Sequence, residues 1–275
     1  MPELPEVETI RRQLAQHVVG KKILGVRVLF AKKLNVPAAT LVAKTKGATI
    51  RSVGRRAKLL LINLSNGYTM AIHLKMTGHV YLQKAGAAPS KYAFVVFTLS
   101  GGRQIVWDDV RRFGFLKLFD RKGLERYLAG QKYGPEPLLR SFTPNLMGAC
   151  LMKHPGKKVK QLLLEQTCIA GIGNIYAVEA LWYARIHPKR AAGKLNDREL
   201  KDLHDGVQKI LRSSIAKRGT SADAYLDLFG KKGTFVPKLK VYDRDGERCP
   251  RHDGGIIKKM TLGGRGTYWC PICQK

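Results

Sequence analysis

The apolar pattern of this chain changes from strand-like to helical at residues 133–137, which read YGPEP. From Lys22 to Leu118 the pattern is mostly that of β-strands, and beyond residue 137 apolar residues recur at helical spacing. Because proline and glycine interrupt both kinds of element, this segment marks a boundary between two parts of the chain. With 275 residues, each part is large enough to bury its own core.

The first part is expected to be a helix followed by a β-sandwich or barrel. Residues 5–18 predict an amphipathic helix with Pro5 in its first turn. An Asn-Gly pair at 66–67 and a Ser-Gly-Gly turn at 100–102 each separate two strand-like runs, so both predict β-hairpins. Many such runs joined by short turns are typical of packed sheets.

The second part is expected to be helical. Residues 157–168 and 175–186 predict two helices separated by an Ala-Gly-Ile-Gly turn, with Asn174 at the second N-cap. A third helix is predicted to begin at Asn196, because an acidic residue three positions later completes a capping-box pattern. The last residues, 230–275, return to short strands and turns.

The charge of the chain predicts a polyanionic partner. Fifty lysines and arginines face twenty aspartates and glutamates, which gives a formal net charge of +30. The hydrophobic content of 44% is that of a packed protein and not of a disordered basic tail. DNA, RNA and an anionic membrane surface are the candidates. A signal peptide and a continuous apolar run of about eighteen residues are both missing, which argues against a membrane or secreted protein.

The cysteines fall into two groups. Cys150 and Cys168 stand alone in apolar-rich segments and are expected to be buried free thiols. The remaining three are crowded near the end of the chain. This distribution favours a metal site in a reducing compartment over a disulfide framework.

The C-terminal segment predicts a zinc site. It contains Cys249-x-x-His252 and, after seventeen intervening residues, Cys270-x-x-Cys273. Two close ligand pairs that bracket a hairpin-length loop can place four donors around one structural Zn²⁺ ion. The alternative is an exposed His252 beside incidental cysteines.

Two further segments have the composition of a nucleic-acid site. The Gly171–Asn174 turn precedes a helix, where free backbone N–H groups favour an anion such as a phosphate. The loop Asp109–Gly114 carries two arginines and an aromatic side chain, which suits base contact and wedging between bases. The alternative for this loop is a β-turn with Arg112 in an ion pair and Phe113 in the core.

The N-terminus predicts a nucleophile. If Met1 is removed, as is usual before a small second residue, Pro2 becomes an N-terminal secondary amine. An α-amino group has a pKa of about 8, so part of it is unprotonated at neutral pH and can condense with an aldehyde such as an opened sugar. The alternative is that Pro2 and Pro5 merely begin the first helix.

Taken together, these motifs identify a family resemblance. The chain closely resembles the formamidopyrimidine-DNA glycosylases, bacterial repair enzymes of the family that also contains the endonuclease VIII-like proteins. The resemblance spans the whole chain in order. It rests on PELPEVET at 2–9, RRAK at 55–58, HLKMTG at 73–78, DVRRFG at 109–114, AGIGNIYA at 170–177 and GRGT at 264–267.

The resemblance implies an α+β multidomain fold. It implies a catalytic domain at 1–134, made of an N-terminal helix plus a β-sandwich, and a helix–two-turns–helix DNA-binding domain at 135–229. A C-terminal β-hairpin zinc finger at 230–275 completes the chain. Duplex DNA is expected between the two lobes, with the damaged nucleotide flipped out of the stack because C1′ cannot be reached inside the duplex.

The resemblance also implies catalytic roles. Pro2 is expected to attack C1′, expel the base and form a Schiff base with the opened sugar. Glu3 is expected to act as acid and base at the sugar ring, and Lys58 to donate a proton. β- and δ-eliminations would then cut the strand on both sides of the lesion. Arg265 is expected to assist the second elimination and to contact a phosphate.

DNA contacts follow from the same resemblance. Met76, Arg111 and Phe113 are expected to fill the gap left by the flipped base, with Arg111 reading the opposite cytosine. Asn174 and a lysine of the 157–160 stretch are expected to hold phosphates. The lysines concerned are Lys157 and Lys160. The segment 219–225 matches a mobile loop that closes over the extruded base.

This sequence departs from the family pattern in three respects. His252 stands where the family has the second of four zinc-binding cysteines, so zinc is expected to bind less tightly at mildly acid pH. Tyr92 stands where many relatives carry a DNA-contacting histidine. The net charge of +30 exceeds what the family leads us to expect, which predicts strong non-specific binding with a steep salt dependence.

The function implied is base-excision repair by a bifunctional glycosylase and abasic-site lyase. Its expected substrates are 8-oxoguanine and formamidopyrimidines in duplex DNA, and abasic sites. The alternatives are an endonuclease VIII-like enzyme for oxidised pyrimidines and a non-catalytic protein that binds damaged DNA. We expect a monomer in the bacterial cytoplasm, associated with the nucleoid and not with a membrane.

Overall fold

The computed structural model describes residues 1–222 and 224–275. The chain divides into two compact units. Unit 1 comprises residues 1–130 with 217–234, and unit 2 comprises residues 131–216 with 235–275. The domain boundaries predicted from the sequence differ from this division, because residues 217–229 pack with unit 1 and the C-terminal hairpin belongs to the same unit as the helices.

Unit 1 begins with helix α1, Leu4–Val18, close to the predicted 5–18. Pro5 lies in its first turn, and Glu6 closes a capping box with Glu3 at the N-cap. The face that carries Val7 and Ile10 is buried. It packs on a core shared with both sheets of the unit.

Two antiparallel four-stranded sheets form the body of unit 1, as the sequence predicts. Their orders are β1-β6-β7-β5 and β2-β3-β4-β8. The strands are β1 (Ile23–Val28), β2 (Ile50–Arg56), β3 (Leu59–Leu64), β4 (Thr69–His73), β5 (Gly78–Lys84), β6 (Ala93–Leu99), β7 (Arg103–Asp109) and β8 (Phe115–Phe119). Both predicted hairpins are confirmed, because β3 pairs with β4 and β6 with β7. The sequence did not predict helices α2 (Ala38–Thr45) and α3 (Arg121–Gln131).

Unit 2 is helical, with a short hairpin. Its helices are α4 (Pro144–Leu151), α5 (Val159–Leu164), α6 (Asn174–Tyr183) and α7 (Asp197–Ala216), and its strands are β9 (Lys258–Leu262) and β10 (Arg265–Trp269). The capping box predicted at Asn196 is confirmed, since the backbone N–H of Glu199 donates to Asn196 Oδ1 at 2.9 Å and that of Asn196 to Glu199 Oε2 at 3.0 Å. Helix α4 was not predicted.

Helix α5 is shorter than the predicted 157–168. It ends at Leu164, and the chain then turns, because the N–H of Cys168 donates to the carbonyl of Glu165 at 2.9 Å. The side chain of Gln166 stabilises this turn by donating to the carbonyl of Ile172 at 2.8 Å. Side-chain bonds of this kind compete with helix continuation.

Cys150 and Cys168 form a disulfide, so the prediction of two free thiols was wrong. Eighteen positions separate the two residues, and their Cα atoms lie 5.5 Å apart. The sequence pattern could not show that the end of α4 lies beside the turn after α5.

Among the described residues, helices long and apolar enough to cross a membrane are absent.

Candidate nucleic-acid interface and active site

Two of the predicted catalytic residues, Pro2 and Glu3, lie immediately before α1. Pro2 is buried, and Glu3 is only 2% exposed. The N–H of Glu3 donates to Glu6 Oε2 at 2.8 Å, while Glu6 Oε1 accepts a 2.8 Å bond from the N–H of Thr220. Glu6 therefore joins the turn that carries Pro2 and Glu3 to the 217–234 segment.

Lys58 lies in the tight turn between β2 and β3 and is 8% exposed. The preceding residue, Ala57, has a left-handed backbone with φ of 52°. Its carbonyl accepts a 2.7 Å bond from Arg55 Nη1, and Arg55 Nε lies 3.2 Å from Glu8 Oε2. Since Glu8 belongs to α1, this contact fixes the Lys58 turn against the helix that presents Pro2.

The charge of Glu8 is well supported. Burial of the carboxyl opposes its ionisation, but hydrogen bonds from Arg11 and Arg12 and the nearby charge of Arg55 outweigh burial, so the pKa of Glu8 is lowered. The carboxylate is thus the common partner of three guanidinium groups.

Asp109, which is 0% exposed, organises the predicted base-gap residues. Its Oδ1 accepts from the Thr77 hydroxyl at 2.5 Å and from the N–H of Arg111 at 3.2 Å. Its Oδ2 accepts from the N–H of Gly114 at 2.6 Å. The carboxylate therefore holds the turn that follows Met76 and the loop that carries Arg111 in one arrangement.

The side chains of this loop project outward. Met76 is 41% and Phe113 49% exposed, and the Arg111 guanidinium lies 4.9 Å from the Phe113 ring centroid. The alternative that places Phe113 in the core is therefore excluded. Arg112 has a left-handed backbone, and its guanidinium stacks on the Phe30 ring at 4.4 Å. An exposed aromatic–arginine pair is suited to contact with nucleic-acid bases.

His73 was part of a motif, but its role was not predicted. Its Nδ1 accepts a 3.0 Å hydrogen bond from the N–H of Lys75, so the ring proton belongs on Nε2. Burial and the charges of Lys75 and Lys58 lower the pKa of His73 to about 3. The ring is a neutral N–H donor beside two cations, a combination that suits a phosphate oxygen.

Tyr92 lies immediately before β6, half-buried, with the Lys91 ammonium 5.2 Å from its ring centroid. Its carbonyl accepts a 3.2 Å bond from the N–H of Asp109, which places Tyr92 beside the 109–114 loop. This position is compatible with the predicted DNA contact, which stays a prediction.

Asp227, which is 0% exposed, links the 217–234 segment to Gln13 of helix α1 in the same unit. Its carboxylate accepts from Gln13, from Arg218 and from the N–H groups of Phe229 and Lys231. Burial disfavours its charge, but these bonds hold the pKa of Asp227 below its ordinary value. The predicted loop 219–225 includes Asp223, which lies outside the described residues.

Unit 2 brings together predicted residues from three separate motifs around the β9–β10 hairpin. Asn174 Nδ2 donates to the carbonyl of Gly266 at 2.9 Å, and Lys160 Nζ donates to the Thr267 hydroxyl at 2.7 Å. Arg265, next to Gly266, is exposed. The hairpin therefore presents Arg265 directly beside the Asn174 turn.

The two lysines of the 157–160 stretch differ in their surroundings. Lys157 is exposed, and its ammonium lies 3.0 Å from Glu165 Oε1. Lys160 is 0% exposed and contacts the hairpin, so it would have to leave Thr267 to bind a phosphate directly. Lys157 therefore remains a candidate for binding a phosphate, whereas Lys160 stabilises the hairpin through Thr267.

The predicted zinc ligands are brought together only in part. The sulfurs of Cys249, Cys270 and Cys273 and a carboxylate oxygen of Asp253 all lie within 4.8 Å of one another. His252 is not a member of this cluster, and its side chain is exposed. The structure thus places Asp253 at the position among the sulfurs for which the Cys-x-x-His spacing predicts His252.

The sequence did not predict the contacts of three residues that organise these sites: Glu6, Asp109 and Asp253. Glu6 carried a signal, since Glu three positions after an N-cap completes a capping box. Asp109 carried none, because its partners come from another strand end. The neighbouring Cys-x-x-His pattern concealed Asp253.

Comparisons with known proteins agree along the whole chain. The family model for the formamidopyrimidine-DNA glycosylase N-terminal domain matches residues 1–116, and that for the formamidopyrimidine-DNA glycosylase H2TH domain matches residues 133–225. A formamidopyrimidine-DNA glycosylase of Pelotomaculum thermopropionicum is 43% identical, over 100% of this chain and 99% of the relative. One from Chloroflexus aggregans is 41% identical over 100% and 98%.

Solved structures agree with the sequence relatives. The complex of the Lactococcus lactis Fpg with DNA containing an abasic site matches with a TM-score of 0.93 and 36% identity, over 99% of both chains. A point mutant of the same protein, bound to DNA containing Fapy-dG, also matches with a TM-score of 0.93 and 36% identity, over 100% of both chains. This chain belongs to the formamidopyrimidine-DNA glycosylase family.

Proposed function

We propose that this protein is a bifunctional DNA glycosylase and abasic-site lyase that removes oxidised purines from duplex DNA during base-excision repair. The observation that carries the proposal is the arrangement at the start of α1. Glu6 binds the backbone N–H of Glu3, next to Pro2, and the buried Lys58 turn is fixed to the same helix through Glu8 and Arg55. Relatives named formamidopyrimidine-DNA glycosylase, similar over their full length, support it.

The chemistry assigned to these residues begins once Met1 is removed. The Pro2 nitrogen attacks C1′ of the flipped nucleotide, the bond to the base breaks, and the sugar ring opens to a Schiff base. Glu3 protonates the ring oxygen of the sugar, and Lys58 assists as a proton donor. Arg265 holds a phosphate and assists the second elimination.

The exposed side chains of the 109–114 loop support duplex DNA as the partner. Met76 and Phe113 expose apolar surface that suits the gap left by a flipped base. Arg111, whose guanidinium stacks on Phe113, is proposed to contact the opposite cytosine. Asn174 and Lys157 are proposed phosphate contacts, and Tyr92 is a proposed DNA contact. The net charge of +30 supplies the non-specific attraction to DNA.

A structural Zn²⁺ in the C-terminal hairpin is part of the proposal, and the donor set fits it. Zinc bound tetrahedrally at ordinary bond lengths requires about 3.8 Å between two sulfurs and about 3.5 Å between a sulfur and a carboxylate oxygen. Cys249 and Cys273 have their sulfurs 3.9 Å apart, and Cys270 Sγ lies 3.5 Å from Asp253 Oδ2. When bound, the ion would stabilise the fold of the hairpin.

Asp253 is the proposed fourth ligand. Its Oδ1 accepts a 2.9 Å hydrogen bond from the N–H of Gly255, which orients the carboxylate toward the sulfurs. A Cβ at Gly255 would collide with Cys270 Sγ, so only glycine allows this close approach. His252 has a left-handed backbone with φ of 55° and an exposed side chain.

The remaining elements of the proposal concern setting. We propose a monomer, because the predicted catalytic residues come from one chain. We also propose action in the bacterial cytoplasm on nucleoid DNA, in line with bacterial relatives such as those of Pelotomaculum and Chloroflexus.

The test uses three duplexes: one with 8-oxoguanine opposite cytosine, one with an oxidised pyrimidine, and one undamaged. Release of 8-oxoguanine with cuts on both sides of the lesion is the expected result, and Glu3→Gln should abolish both. Glu125→Gln, in an exposed ion pair with Arg121, serves as the matched control. Preference for the oxidised pyrimidine would favour the endonuclease VIII-like alternative. Tight binding without cleavage would favour a non-catalytic damage-binding protein.

A further inference from the structure

The disulfide between Cys150 and Cys168 lies close to the proposed phosphate-binding turn. Cys150 is in the last turn of α4 and half-buried, whereas Cys168 is 2% exposed. Their Cα atoms are 5.5 Å apart, a spacing usual for disulfides. Neither cysteine belongs to the zinc cluster or to any motif assigned a function above.

On the Cys168 side, short hydrogen bonds lead directly to the Asn174 turn. The N–H of Gly134 donates to the Gln166 carbonyl at 2.9 Å, and the N–H of Ala170 donates to the Pro135 carbonyl at 3.0 Å. The Gln166 amide accepts from the N–H of Gly171 at 2.9 Å and donates to the carbonyl of Ile172 at 2.8 Å. Hydrogen bonds therefore connect the backbone from Cys168 to the Asn174 turn without interruption.

Gly134 allows this close packing. A Cβ at residue 134 would collide with the carbonyl of Cys168, so the 133–137 segment and the Cys168 turn are in direct backbone contact. The 133–137 segment, at the boundary between the strand-like and helical parts of the sequence, thus packs directly against Cys168 of the disulfide.

On the Cys150 side, the bridge reaches the helical layer of unit 2. Helix α4 packs on α7, and a Cβ at Gly148 would lie 3.4 Å from Leu200 of that helix. The bridge encloses α5 and a basic stretch with four lysines, at 153, 157, 158 and 160. Repulsion among these cations favours an expanded loop, which the covalent bond resists.

We propose that the Cys150–Cys168 disulfide is a reversible covalent brace on the DNA-binding turn of unit 2, and that reducing it weakens the grip on DNA. The proposal rests on the function proposed above, because it takes the Gly171–Asn174 turn as a phosphate site. Both cysteines act as positioning residues, since neither is assigned a DNA contact.

Formation of the brace requires a small disulfide as oxidant. The more exposed Cys150 thiolate attacks one sulfur of the small disulfide, breaks its S–S bond and releases one small thiol. Cys168 then loses its proton and attacks Cys150 Sγ of the mixed disulfide, and the second small thiol leaves. Two protein thiols are thus oxidised and one small disulfide is reduced to two thiols; reduction follows the reverse path.

The first measurement counts thiols. Full-length protein is treated with oxidised glutathione or with a phosphine reductant, denatured with a chelator present, and labelled with iodoacetamide. Because the chain has five cysteines, the oxidised form should take up three labels and the reduced form five. Five labels after glutathione treatment would overturn the proposal.

The second measurement compares stability and DNA binding in the two states. Reduction should lower the melting temperature of the wild type by on the order of 5–10 °C, as expected for opening a loop of this length. It should weaken binding to a duplex with an abasic-site analogue by at least about fivefold, the low end of coupling between sites. The duplex carries no cleavable base, so binding is read without catalysis.

Variants separate the brace from the zinc cysteines. Cys150→Ser and Cys168→Ser keep the three finger thiols, so both should behave like the reduced wild type and show no further response to reductant. Their zinc content should match that of the wild type. A response to reductant that persists in both variants would overturn the proposal by placing the effect in the finger.

Two further outcomes are informative. The oxidised and reduced proteins could bind DNA equally well although reduction lowers the melting temperature. This result would overturn the proposed effect on DNA binding and show that the disulfide only stabilises the fold. If neither state binds any duplex while labelling shows the disulfide, the proposed function itself has failed, and the brace on DNA binding fails with it.

Discussion

The Thr77 hydroxyl donates a 2.5 Å hydrogen bond to Oδ1 of Asp109, which is completely buried. This bond joins the turn after Met76 to the loop that presents Arg111 and Phe113, although more than thirty residues separate the two in sequence. The same carboxylate binds the N–H of Gly114 at 2.6 Å. The proposed base-gap side chains therefore owe their relative placement to one completely buried acidic residue.

Asp109→Asn should disturb this arrangement. The amide has only one acceptor oxygen, so either Thr77 or Gly114 loses its partner in a buried site. The free energy of unfolding should fall by about 1–3 kcal/mol. Binding to a duplex with an abasic-site analogue should weaken by roughly 10- to 100-fold, the scale of a misplaced site. Thermal melting and binding titrations measure the two effects.

Two substitutions of Thr77 provide the control for this prediction. Thr77→Ser keeps the hydroxyl and should bind DNA almost as the wild type does, whereas Thr77→Val removes the donor and should resemble Asp109→Asn. Equal behaviour of the serine and valine variants would show that the hydroxyl does not position the loop.

Glu8 should make stability depend on pH. Its pKa is lowered in the folded state, so its contribution is fully present above the unfolded value near 4.5 and is lost as pH falls through the folded value. Glu8→Gln should therefore destabilise the protein by about 2 kcal/mol at pH 7, and the difference from wild type should shrink below pH 4.5. Melting curves from pH 7 to pH 3 test this.

The matched control for Glu8 is Glu125→Gln. Its ion pair with Arg121 is exposed and should contribute less than about 1 kcal/mol at any pH. A difference between wild type and Glu8→Gln that stays constant down to pH 3 would contradict the electrostatic role of Glu8.

The zinc proposal predicts different effects for two neighbouring residues. Asp253→Ala should lose most of its zinc, because a ligand is removed, while His252→Ala should keep one equivalent per chain. Native mass spectrometry gives the stoichiometry. In the Co²⁺-substituted protein, Asp253→Cys should strengthen the sulfur-to-metal absorption. Zinc loss from His252→Ala with retention in Asp253→Ala would reverse the assignment.

The large positive charge should make non-specific binding strongly dependent on salt. If the protein neutralises several phosphates, affinity for an undamaged duplex should fall by at least about 100-fold between 50 and 200 mM salt, because condensed counterions are released. Fluorescence anisotropy over this range measures the slope. A shallow slope would mean that most of the +30 charge lies away from the DNA.

Local patterns predicted much of the fold because they are determined by near neighbours. Residues 5–18 predicted α1, and the Asn-Gly pair at 66–67 predicted the β3–β4 hairpin, since each depends on spacing within a few residues. Helix α5 was predicted too long because the Gln166 side chain, whose partners lie across the next turn, stabilises a turn in place of helix.

Contacts between distant parts of the chain account for what the sequence could not predict. Cys150 and Cys168 meet only because α4 lies beside the turn after α5, which neither segment encodes alone. His252 fitted the ligand spacing. However, its backbone is left-handed and its ring is exposed. Asp253 lies among the three sulfurs in its place. The motif located the metal site and not its fourth ligand.

The proposed reaction depends on Pro2 as the nucleophile. The most direct measurement is borohydride trapping on a duplex with 8-oxoguanine opposite cytosine, followed by peptide mapping of the adduct and intact-mass analysis of the unreacted protein. We predict that Met1 is absent and that the trapped sugar is attached to residue 2, with no adduct from Pro2→Gly. Active protein that retains Met1, or an adduct on any other residue, would contradict the account.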